Sequence, residues 1–154
     1  MKAIIFAAAL LCTGATTVYA QKIKADKVPA SVQTTFKKQF AQANKVEWEM
    51  EETDYEVNFK TAGVEYSAKY NKEGNWLETE QEIKKTDLPP AVKQAVDKEF
   101  PKAELEETEK VTLANNTVVY EMEIEQGKQK FEVQFSADGK LLKKETVTKK
   151  EGKD

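Results

Sequence analysis

The chain has 154 residues, with 24 basic and 27 acidic side chains for a net charge of −3. Every base is a lysine; arginine and histidine are absent. The acidic balance and the missing guanidinium fork both disfavour nucleic acid, so none is expected as a partner, and the missing imidazole excludes serine–histidine catalysis and histidine-ligated zinc.

The chain opens on Met1-Lys2, continues with an apolar run from Ala3 to Leu11, and passes through small and polar residues to Val18-Tyr19-Ala20. That order is the pattern of a secretory signal, and the run is shorter than the roughly 20 apolar residues a bilayer span needs. Small residues at Val18 and Ala20 predict a signal peptide over residues 1–20, cleaved before Gln21. Leu11 before Cys12 argues against a lipid anchor, which needs a small residue there. Losing 20 of the 154 residues leaves 134, with 23 lysines against 27 acids and no cysteine. No disulfide can brace such a product, so burial of aromatic and branched residues must hold it. No second apolar run follows, so no membrane insertion is expected after cleavage and the expected location is periplasmic or secreted. Residues 21–27 and 149–154 are polar and expected to be a flexible lead-in and a disordered tail.

The remaining chain contains itself twice. Val28-Pro29-Ala30-Ser31-Val32, with Phe36, Lys38 and Phe40, returns 60 residues later as Leu88-Pro89-Pro90-Ala91-Val92, with Val96, Lys98 and Phe100. Further along, the offset is 65: Tyr55 matches Tyr120, Tyr66 Phe131, Ala68 Val133, Tyr70 Phe135, Gly74 Gly139 and Leu77 Leu142. The extra residues fit best at Ala114-Asn115-Asn116-Thr117, since asparagine pairs favour tight turns. The repeats are read as 28–86 and 87–148.

Each repeat begins with a helix. Val32, Phe36 and Phe40 are spaced by four and share a face, as do Val92, Val96 and Phe100. Pro29 and Pro89 suit a first helical turn, and Pro101 ends the second helix. Period-two alternation then predicts strands: Val46, Trp48 and Met50; Tyr55, Val57 and Phe59; Tyr66, Ala68 and Tyr70; and Leu77 to Ile83, with Trp76 on the face opposite Leu77. In the second repeat Tyr120, Met122 and Ile124, then Phe131, Val133 and Phe135, carry the same signal. Glu73-Gly74, Asp138-Gly139, Thr61-Ala62-Gly63 and Gln126-Gly127 mark turns. The fold class is α+β: a tandem repeat of a helix plus a four-stranded antiparallel meander, with the helices on one face of the sheet.

The Pro-initiated helix ending near Phe40 or Phe100, then Val46-Glu47-Trp48-Glu49, Tyr55-Glu56-Val57 and Tyr70-Asn71-Lys72-Glu73-Gly74-Asn75-Trp76-Leu77, resembles the PepSY-like, beta-lactamase-inhibitory-protein-like family of exported bacterial proteins. The resemblance runs from about residue 28 to 148. It implies two helix-and-sheet repeats, a periplasmic or extracellular home and no catalytic activity. It also implies a regulatory role, since relatives inhibit hydrolases and PepSY modules occur in protease propeptides. The inhibitory proteins of that family carry disulfides and this chain has none after cleavage, so no target and no binding residue is carried over.

Chemistry read from the residues is sparse. Only Ser31, Ser67 and Ser136 are serines, none in a Gly-x-Ser-x-Gly elbow, and no glycine-rich phosphate loop or cofactor motif exists. A carboxylate pair is the one catalytic chemistry left open. With Trp48, Tyr55 and Tyr66 turned to the helix, the opposite face of the first repeat collects Glu47, Glu49, Glu51, Glu56, Glu65, Glu78, Glu80 and Glu82 against Lys60 and Lys69. The second adds Glu121, Glu123, Glu125 and Glu132, with Lys130 and Lys143 nearby. The candidate partner-binding set is Trp76 as aromatic anchor with Glu47, Glu49, Glu56, Glu65, Glu78, Glu80, Glu121 and Glu123, facing a cationic protein. The alternative is a solvated face that keeps the sheet soluble and discourages edge pairing, with Trp76 capping an edge or filling the seam between repeats. Calcium, which takes carboxylate oxygens, has no Asp-x-Asp-x-Asp-Gly loop to support it. Two functions follow as expectations: a non-enzymatic exported binding protein that inhibits or regulates an envelope or secreted hydrolase, or a structural adaptor of the cell envelope.

Overall fold

The computed structural model describes residues 21–147; the expected signal peptide, residues 1–20, and the expected tail, residues 149–154, lie outside the described residues. The described residues form a mixed α+β protein with two helices and nine strands. In chain order the elements are β1 (Gln21–Ile23), α1 (Ala30–Gln39), β2 (Asn44–Glu51), β3 (Asp54–Thr61), β4 (Val64–Tyr70) and β5 (Trp76–Glu82), then α2 (Pro90–Glu99), β6 (Glu104–Leu113), β7 (Val118–Gln126), β8 (Gln129–Ser136) and β9 (Leu141–Val147). Sheet order follows chain order from β1 to β9. The chain divides into two compact units, one running to Gly63 and including Ser67–Leu77, the other comprising Val64–Tyr66 and the chain from Glu78 onward.

In the first unit α1 buries Val32 and Phe36. The Phe36 ring meets Trp48 edge-on at 5.4 Å and Phe59 at 5.2 Å, while Phe40, capping the helix, lies 4.6 Å from Phe59. Val57, Ala68 and Tyr70 complete this core with no exposed surface. Burying Val32, Val57 and the phenylalanine rings contributes roughly 1.5–3 kcal/mol each by removing them from water. The Tyr70 hydroxyl donates to Gln39 Oε1 at 2.6 Å, and burial pushes its pKa well above the usual phenol value.

In the second unit Leu88, Val92, Val96 and Phe100 pack on Met122, Ile124, Phe131, Val133 and Phe135. Lys144 lays its ammonium over the Phe131 ring at 4.2 Å and the Phe100 ring at 4.7 Å, a cation–π contact that holds β9 to this core. Where the first unit has Trp48, the 60-residue offset puts Thr108, whose buried Oγ1 has no hydrogen-bond partner among the described residues. The five residues that change the offset lengthen β6, β7 and the turn between them. That turn holds Asn116 at φ +63° and closes through Asn115 Oδ1, which accepts from Thr117 N at 2.9 Å.

Three sequence expectations change. Residues 21–27, expected to be loose, form β1, paired antiparallel with β2 through Ile23↔Trp48, Lys22↔Glu49 and Gln21↔Met50, and a 3-10 turn over Ala25–Lys27. Val46, placed in the core row by period two, is 40% exposed. A bulge between Asn44 and Glu47, with Lys45 at φ +53°, breaks the alternation there. Pro29 and Pro89 precede the helices as caps, and Pro90 takes the first helical position.

Two glycines tie hairpins to helices. Gly74 and Gly139 both adopt φ +86°, and a Cβ there would stand 2.8 Å from the Ser31 carbonyl carbon and 2.5 Å from the Ala91 carbonyl oxygen, respectively. Gly139→Ala is therefore expected to destabilise by about 3 kcal/mol, combining left-handed strain with a backbone clash. Gly127→Ala, also at positive φ but with open space around it, should lose only about 1 kcal/mol. Urea unfolding of the two variants checks the difference.

Candidate functional site: the carboxylate face

In each unit the strand face turned from the helix carries the acidic rows. In the first unit Glu49 stands directly opposite Glu56. Lys69 bridges to Glu51 at 2.8 Å, and the exposed Lys22 of β1 donates to Glu47 at 2.8 Å. That hydrogen bond raises the Lys22 pKa and lowers that of Glu47. Glu49, Glu51 and Glu56 are buried, Glu51 to 4% exposure. Glu51 Oε1 has no hydrogen-bond partner among the described residues.

In the second unit cross-strand pairing lines up Glu82, Glu109, Glu121, Gln134 and Lys143 in one row, and Glu123, Glu132 and Glu145 in the next. Like charges set directly opposite are unfavourable, and specific contacts offset them. Gln134 Nε2 donates to the buried Glu121 at 2.5 Å. Lys130 reaches Glu106 at 2.5 Å, Glu123 at 2.6 Å and Glu125 at 3.8 Å. Hydrogen bonding to these carboxylates holds the Lys130 pKa well above its ordinary value and lowers that of Glu106. Glu107 and Glu132 are raised, chiefly by burial, with Glu123 and Glu82 adding to the first and Glu145 to the second.

Of the nine candidate residues, Glu49, Glu56, Glu78, Glu80 and Glu121 are buried. Neighbouring strands crowd their long side chains, and at the level of Glu80 the face turns apolar, with Val111 and Val119 buried beside it. Trp76 is half-buried and engaged in a contact. Glu65 and Glu123 are half-buried and Glu47 is exposed. The accessible carboxylates of the second unit are spread over β5 to β8: Glu82, Glu106 and Glu107 are exposed, and Glu123, Glu125 and Glu132 are half-buried, with Glu106, Glu123 and Glu125 reached by Lys130. Period-two reasoning misses Glu106 and Glu107 because adjacent strand residues should face opposite ways. The β6 bulge between Leu105 and Thr108 brings Glu106 onto Lys130 and Glu107 into the field of Glu123 and Glu82.

This arrangement holds an ammonium group among several carboxylates. A cavity of about 420 Å³ beside it is lined by Glu125, Gly127, Lys128, Lys130 and Val147. Among the described residues no three acidic or cysteine side chains are arranged to hold a metal ion, and no helix is long and apolar enough to cross a membrane.

Two helices and an antiparallel sheet define an α+β protein. The chain belongs to the PepSY-like, beta-lactamase-inhibitor-like family, whose sequence profile matches residues 15–67 and again 61–143. Among solved structures it is similar to a BLIP-like protein from Bacteroides fragilis, at 26% identity and TM-score 0.69 over 82% of this chain and 92% of that one. A DUF2874 family protein from Bacteroides ovatus is 25% identical, with TM-score 0.73 over 80% and 90% of the two chains. A candidate periplasmic protein from Bacteroides eggerthii shares the fold at 19% identity, with TM-score 0.74 over 79% and 90%. No curated protein matches.

The raised Glu132 pKa sets a direction for stability. Between the ordinary value near 4.5 and the raised one, the folded chain keeps a proton that the unfolded chain has released, so stability falls as pH rises through that window. Glu132→Gln is expected to be more stable at pH 7 by about 0.5 kcal/mol, after allowance for solvent screening. The gain should fade as pH drops below the unfolded value. Thermal denaturation across pH checks it.

Proposed function

We propose that this is an exported, non-catalytic binding protein, periplasmic or secreted, that restrains or regulates a hydrolase by taking a lysine- or arginine-bearing surface onto its carboxylate face. One observation carries the reading. The accessible Glu82, Glu106, Glu107, Glu123 and Glu132 lie on strands β5 to β8 of the second unit; Lys130 is held by Glu106 and Glu123 and Lys143 moderates Glu132, yet burial and like charge still push the Glu107 and Glu132 pKa values up. A cationic side chain delivered by a partner would relieve that excess, and such surfaces speed encounter and select against acidic proteins. The inhibitor-like description of the family supports the choice of a hydrolase over other envelope proteins. Glu47, Glu65 and Trp76 are secondary contributors; the buried glutamates shape the face from beneath.

The test is affinity capture from the native cell envelope with the protein lacking residues 1–20, followed by mass spectrometry and assay of the captured enzyme. One hydrolase should be enriched, and its turnover should fall when the protein is added. Glu82→Lys combined with Glu107→Lys, both at exposed positions, should weaken capture by at least about tenfold, as removing several surface charges from an electrostatic contact does. Raised salt should act in the same direction. Undiminished capture by the folded double variant defeats the reading, and enrichment of many envelope components regardless of these charges would point to an adaptor instead.

A further inference from the structure

The outer edge of β9 carries an independent inference. Sheet order ends at β9, so among the described residues no strand pairs with that edge. The same chain shows what such an edge accepts. β5 is the counterpart of β9 at the 65-residue offset, with matching bounds, and it carries β6 antiparallel over Glu78–Glu82. An open strand is a template for another chain unless something blunts it.

We propose that β9 pairs antiparallel with β9 of a second copy, in the register centred on Lys144, forming a twofold dimer closed by two reciprocal Lys143–Glu145 ion pairs. The side chains select that register. Lys143 and Glu145 lie on one face, 3.2 Å apart within the strand. Centred on Lys144, each Lys143 stands opposite Glu145 of the second copy, and the pairing repeats by symmetry. Centring on Lys143 or on Glu145 would set like charges against each other. Lys144, which meets itself across the axis, has its ammonium drawn over the Phe100 and Phe131 rings of its own chain and so away from the junction. Leu142, 46% exposed and one of two exposed large hydrophobic residues among those described, would gain cover from Thr146 of the second copy, and Leu141 would meet Val147. The incoming Lys143 also approaches Glu132, which stands opposite Glu145 and is crowded by its charge.

Seven residues of edge pairing make a small interface, so association is expected to be weak. Sedimentation equilibrium from about 10 μM to about 1 mM, a range suited to weak contacts, should show a concentration-dependent monomer–dimer exchange. K143E and E145K should each raise the dissociation constant at least about tenfold, because each sets like charges across the axis. Mixing the two variants should restore association as a heterodimer, and K143E/E145K together should restore the homodimer. No purely structural role for either residue gives that pattern, and circular dichroism confirms that each variant is folded. A monomer throughout the range, association that appears only once residues 148–154 are removed, or single variants that dimerise like the unchanged protein would each overturn the proposal.

Discussion

The structure depends on the burial of one helix stripe against one sheet face in each unit. Residues 21–147 contain no cysteine, so no covalent link limits the unfolded chain, and a unit of this size has a thin core. The first unit answers with rings: Phe36 touches Trp48, Phe40 and Phe59 at once. The second has fewer aromatic residues in the corresponding core and adds a lysine over two of them. Both use a glycine in the last hairpin to bring that turn against the start of the helix. Loss of the ring stripe would leave the strands with no apolar face to cover, and the acidic rows on the other side would then act unopposed.

Those rows show how far favourable burial on one face can carry unfavourable charge on the other. Glu49 against Glu56 and Glu123 against Glu132 are pairings that isolated strands would avoid. They persist because the register is set by the apolar side, where a shift of one residue would expose Val57, Phe59, Met122 and Ile124. Local donors then limit the damage: Lys69 on Glu51, Gln134 on Glu121, and Lys130 among three glutamates. The residual strain falls on Glu107 and Glu132.

Helices and strand faces were legible because their signals are periodic and repeated. Val32 and Phe36, the row Tyr55, Val57 and Phe59, and the row Phe131, Val133 and Phe135 each carry a pattern that only one period fits. The candidate site was legible as a sign of charge and not as a surface. Alternation tells which way Glu121 points; it does not tell that neighbouring side chains will cover it to 4% exposure. Bulges erase the very period from which facing is read, so alternation puts Val46 in the core row and gives no facing for Glu106 and Glu107. β1 is silent for another reason: Gln21-Lys22-Ile23 is too short and polar to announce a strand. At the 60-residue offset it corresponds to Gln81-Glu82-Ile83, where β5 ends at Glu82 and the chain leads into a matching 3-10 turn.

That correspondence alters what counts as the repeating unit. Ile23 lies across from Trp48, and Glu82 lies across from Glu109 one step along the same register. The strand leading into each helix is thus hydrogen-bonded to the strand leaving it, and the helix is a loop thrown over a pair already joined at its base. A boundary drawn at Val28, where the proline motif begins, cuts that joint. A fragment trimmed there keeps its helix and its rings but bares the flank of β2, a sticky border on an otherwise finished half.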